Sequence, residues 1–162
     1  VTCGEIKATA VFYDGADMLS TDYNYYLAVP DGRTIFFPIW KPYDSDNYEL
    51  IPYDRVEVTV TAQPDDGYVT DCSEQLETTH NPGTDSIMIK CQNNGDEAVD
   101  TVRYQVVFYN NKGEVITVEE TYNGDPIPAG SSQVMSAYTP YDWNLGSLPY
   151  DHYEVYLVES YR

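Results

Sequence analysis

Apolar and polar residues alternate along most of this chain, in short runs closed by Gly, Pro or Asn. From Ser86 to Gln92, Ile87, Ile89 and Cys91 fall on one side of an extended chain and Met88, Lys90 and Gln92 on the other. That is the period of two a β-strand requires. Asn93-Asn94-Gly95-Asp96 then reads as a tight turn. The same reading predicts strands at 99–109, 115–122, 131–138 and 152–161, and earlier at 5–13, 18–27, 33–39 and 55–62. No stretch of a dozen residues keeps an apolar period of 3.6, so no long helix is expected. The predicted class is all-β.

The strands recur in order. Val11-Phe12-Tyr13-Asp14 returns 96 residues later as Val107-Phe108-Tyr109-Asn110, Pro42-Tyr43-Asp44 returns after 98 as Pro140-Tyr141-Asp142, and Pro52-Tyr53-Asp54 returns after 97 as Pro149-Tyr150-Asp151. A near-constant offset across separate landmarks is the mark of a duplicated unit. The expected organisation is two tandem β-sandwich repeats, residues 1–75 and 86–162, joined by a linker at 76–85. In Pro-Tyr-Asp, Pro ends a strand because it fixes φ and has no N–H to give. Tyr then folds its ring over the end of the sandwich, and Asp accepts from backbone amides of the turn.

These motifs resemble those of the FxLYD domains, small extracytoplasmic bacterial domains named for a Phe-x-Leu-Tyr-Asp motif. The matching stretches are Ala10-Val11-Phe12-Tyr13-Asp14 and Val106-Val107-Phe108-Tyr109-Asn110, with the turn Asn111-Lys112-Gly113 and the loops Pro30-Asp31-Gly32 and Pro128-Ala129-Gly130. Ala10 and Val106 stand where the family has Phe, Phe12 and Phe108 where it has Leu, and Asn110 where it has Asp. The resemblance implies immunoglobulin-like sandwiches on an exported, bacterial, cell-surface protein, with no catalytic residues.

Composition narrows the partners. A formal charge of −19 at pH 7 opposes nucleic-acid phosphates and anionic lipid surfaces. No apolar run reaches the length of a membrane span. The chain opens at Val1 without an initiator Met, and is read as a processed piece of a longer exported protein. Of three cysteines, Cys3 and Cys72 are expected to form a disulfide, with Cys91 a buried thiol.

Catalytic chemistry is sparse. His80 and His152 lack a companion Ser or Cys motif, and neither zinc spacing nor a cofactor fingerprint occurs. Asp44-Ser45-Asp46-Asn47 begins like a calcium loop but lacks the Gly and the distant Glu, leaving Asp44 and Asp46 a weak metal candidate. Lys7 and Lys90 are the lysines placed for an isopeptide bond, and alternation turns Lys90 to solvent. No enzyme and no cofactor are expected. The expected role is a surface spacer, and the alternative is a glycan- or protein-binding module using Trp40, Tyr43, Trp143 and Tyr141, which lie at the Pro-Tyr-Asp loops.

The first repeat lacks a counterpart of 86–92. Residues 67–72 are expected to fold back and supply that strand; otherwise an open edge invites pairing or self-assembly.

Overall fold

A computed structural model describes residues 3–47, 49–142 and 145–162. Among them run the strands β1 (Cys3–Asp14), β2 (Asp17–Val29), β3 (Arg55–Pro64), β4 (Leu76–Pro82), β5 (Ser86–Asn93), β6 (Thr101–Tyr109), β7 (Val115–Tyr122), β8 (Ser132–Tyr138), β9 (Tyr141–Asp142), β10 (Gly146–Ser147) and β11 (His152–Tyr161). A single 3-10 turn, Ser73–Gln75, precedes β4. Every strand pairing is antiparallel, in three sheets ordered β2-β1-β3, β4-β5-β8 and β11-β6-β7, with β9 and β10 forming a small hairpin. The protein is all-β.

Sheets β4-β5-β8 and β11-β6-β7 face each other across the main core. Alternation decides what they bury: Ile87, Ile89 and Cys91 of β5 meet Val102, Tyr104, Val106 and Phe108 of β6, while Met88 and Lys90 stay exposed. Each fully buried aliphatic side chain here contributes about 1.5–3 kcal/mol relative to exposure. Tyr104 is wholly buried, and its hydroxyl lies 2.6 Å from Thr78 Oγ1 of β4.

The recurring motifs occupy matching places. Phe12 and Phe108 lie near the end of the central strand of their sheets, and each receives a tyrosine edge-on with ring centroids 4.9 Å apart, Tyr53 in one case and Tyr150 in the other. The Asp54 amide donates to the Tyr13 carbonyl at 3.0 Å, as the Asp151 amide does to Tyr109 at 2.8 Å. Pro42 accepts from the Ile51 amide, and Pro140 from Leu148, closing two small hairpins.

Four expectations are corrected. Residues 76–82 are not a linker but strand β4, whose Thr78 and Thr79 suit a pleated edge once β5 is beside them. Residues 67–72 do not complete the first sheet: Thr70 and Cys72 pair instead with Arg162 and Ser160 at the end of β11. That pairing carries Cys72 into the main core while Cys3 stays on β1, so the Cys3–Cys72 disulfide does not form and all three thiols are free. Finally, residues 33–39 form no ladder, because among the described residues no strand equivalent to β5 lies beside them in the way β5 lies beside β8.

The first sheet docks on the outer side of β6. Gln105, wholly buried, accepts the Phe36 amide at 2.9 Å, and its Nε2 lies 2.7 Å from Tyr26 Oη and 3.0 Å from Glu120 Oε1. The Leu27 amide donates to Glu159, which also sits 3.0 Å from Arg103 Nε as an ion pair without an aligned hydrogen bond. Tyr26, Val29 and Val158 form a second, smaller core there. Burial, more than the adjacent Glu120 carboxylate, holds the Tyr26 phenol protonated.

Candidate functional site

Strand β7 is the edge of its sheet, and its inward residue Glu119 stands at the open side of the core, opposite β8. Two clefts meet at this carboxylate. The larger, about 750 Å³, is lined by Asp85, Glu119, Tyr138, Thr139, Tyr141 and Ser147. The smaller, about 480 Å³, has Trp40, Pro38 and Ile39 on one wall and Val115, Thr117 and Glu119 of β7 on the other. Trp40 is 78% exposed, Tyr138 73% and Tyr141 61%, so three largely exposed aromatic rings stand around one acidic edge.

Local sequence explains each position. Tyr138 ends β8 on its solvent side, and Pro140, two residues later, stops the ladder, so Tyr141 starts the β9–β10 hairpin. Trp40 is held where its amide donates to Asp22 at 2.7 Å, after Pro38 has accepted from Asn24 at 3.4 Å. Half-burial raises the Glu119 carboxyl above the ordinary glutamate range, with Thr117 Oγ1 donating at 3.4 Å in partial opposition. Below its raised value Glu119 can donate as well as accept. Aromatic faces, hydroxyls and carboxylates, with no Lys or Arg among the described residues that line the two clefts, suit a neutral, hydroxyl-rich ligand and repel an anion.

Of the residues singled out from sequence, Trp40 and Tyr141 come to adjoining clefts. Tyr43 does not; it bridges Leu50 in its own small hairpin. Trp143 lies outside the described residues. Asp44 Oδ1 accepts the Asp46 amide at 2.8 Å, a turn contact, and among the described residues no cluster of His, Cys, Asp or Glu is arranged for a metal. His80 lies 3.2 Å from Tyr153 Oη, and His152 stacks on Tyr109. Lys7 sits 4.0 Å over the Tyr23 ring. Sequence reasoning missed Tyr138, Asp85 and Glu119. Tyr138 was legible as an outward residue beside a Pro-Tyr-Asp loop, whereas Glu119 gave no signal apart from the pairing of β7. Among the described residues no helix is long and apolar enough to cross a membrane. The chain matches no family model, no curated protein and no solved structure.

Proposed function

We propose that this chain is a non-catalytic module of two tandem immunoglobulin-like units, exported to a bacterial cell surface, that binds a neutral glycan along the β7 edge. The observation that carries the reading is the meeting of two aromatic-lined clefts at Glu119, which joins Trp40 from one unit to Tyr138 and Tyr141 from the other. Sugar faces stack on exposed rings while their hydroxyls bond carboxylates and Thr or Ser side chains. The matched Tyr53–Phe12 and Tyr150–Phe108 contacts support duplication. A spacer role is the second reading, favoured by the buried Gln105 contacts that fasten the first sheet to β6.

A glycan-array screen of the chain, followed by calorimetric titration of its hits, tests the choice. Binding should fall about tenfold or more in Trp40→Ala and in Tyr141→Ala, as for aromatic anchors elsewhere. An array without hits, or hits indifferent to both substitutions, removes the glycan reading and leaves the spacer.

A further inference from the structure

Strand β3 is exposed along its whole length, Arg55 to Pro64. Its register with β1 runs unbroken from Tyr13↔Arg55 to Ile6↔Ala62, which puts Val56, Val58 and Val60 on the face of Phe12, Ala10 and Ala8. Those three β1 residues are buried, yet Val56, Val58 and Val60 are 43%, 61% and 56% exposed. The corresponding residues beside Phe108 on β11, Tyr153, Val155 and Leu157, pack against the main core. Among the described residues nothing hydrogen-bonds to the outer edge of β3.

Proteins blunt such edges with lysine, inward charge, a bulge or a covering loop. Here the register shift comes only at Cys3/Glu5, and Pro64 stands at the very end. The charges on β3 are Arg55 and Glu57, which pair with each other. In a chain of net charge −19, this strand is a neutral strip.

We propose that β3 is the contact through which two copies of this chain join, edge to edge and antiparallel about a two-fold axis. Such a contact is self-complementary. Centred on Val58, it sets Val56 opposite Val60 of the second copy, Glu57 opposite Thr59 and Arg55 opposite Thr61. Centred on Thr59, it sets Val58 opposite Val60 and Glu57 opposite Thr61. In neither register do like charges meet, and the valine rows merge on one face. Elsewhere the two copies repel, so salt tightens the contact as it screens that repulsion.

Sedimentation equilibrium of the intact chain over a range of concentrations, at low and high salt, tests this. The chain should form a dimer that strengthens with salt. Val58→Lys sets two lysines at or near the axis and should weaken the dimer at least about tenfold. Met88→Lys, on the exposed side of β5, should leave it unchanged, and circular dichroism should show both variants folded. A chain that stays monomeric at every concentration and salt overturns the proposal. So does a dimer that ignores Val58→Lys, one that Met88→Lys disrupts equally, or one that salt dissolves.

Discussion

Single residues settle how the two halves differ. At the places where β6 carries Tyr104 and Val106 before Phe108, β1 carries Ala8 and Ala10 before Phe12. Tyr104 and Val106 reach into a core roofed by a full sheet, whereas among the described residues no second sheet is built over the alanines. Glu119 makes a different local statement, because its carboxyl is desolvated at the rim of the main core. In the unfolded chain it titrates near the ordinary value of about 4.3. Below that value both states are protonated and Glu119 has no effect on stability. As pH climbs from there toward the raised folded value, the unfolded chain releases its proton first and the fold loses stability; above the folded value the loss is complete. Glu119→Gln removes this dependence, so its stability, measured by urea denaturation between about pH 4 and 7, should fall less with rising pH than that of the parent. Glu159, raised chiefly by burial too, is present in both proteins and cancels from the difference. Parallel curves would show that the carboxyl is not desolvated.

At the scale of elements, pairing partners decide what local pattern leaves open. The alternation of Ile87, Ile89 and Cys91 specified β5 and its buried face, and the apolar stretch ending in Phe108 specified β6. Leu76 to Pro82 shows no such contrast; those residues extend because β5 offers them a ladder, and a partner distant in sequence is invisible to local pattern. Residues 33–39 have the composition of a strand, but among the described residues no strand pairs with them in a ladder. The clefts were half legible for the same reason: exposed Trp40 and Tyr141 are evident from their loops, but Glu119 joins them only through the placing of β7 against β8. The segment 70–72 has a measurable consequence through its pairing with β11. Cys72 and Cys91 are buried and their thiols pushed upward by burial, whereas Cys3 is half-buried on β1. A disulfide-exchange reagent should therefore modify Cys3 in the native protein, and Cys72 and Cys91 only as the core opens. A linked Cys3–Cys72 peptide in an unreduced digest, or Cys91 reacting as fast as Cys3, would overturn this placement.

For the whole molecule, the decisive feature is how the first sheet is fastened. Three strands with an open β3 bury little by themselves, and small sheets of that kind are marginal alone. Their stability is borrowed through the contacts of Tyr26, Leu27 and Phe36 with Gln105, Glu120 and Glu159. Gln105 is the hub, since one buried amide serves the Phe36 backbone, the Tyr26 hydroxyl and Glu120. Its removal leaves the Phe36 amide without its acceptor in a partly buried interface and takes one of several partners from the Tyr26 hydroxyl, at a cost of about 1–3 kcal/mol. That cost falls on the docked sheet alone, because the side of β6 that faces β5 is untouched by a change on its outer side. In Gln105→Ala, hydrogen exchange should accelerate in β1 and β2 while β5 and the core-facing amides of β6 keep their protection. The sheets would then open in sequence, the first ahead of the main core. Equal acceleration in β1 and β5 would mean that the two parts unfold as a single cooperative unit and that the Gln105 contacts do not set the boundary between them.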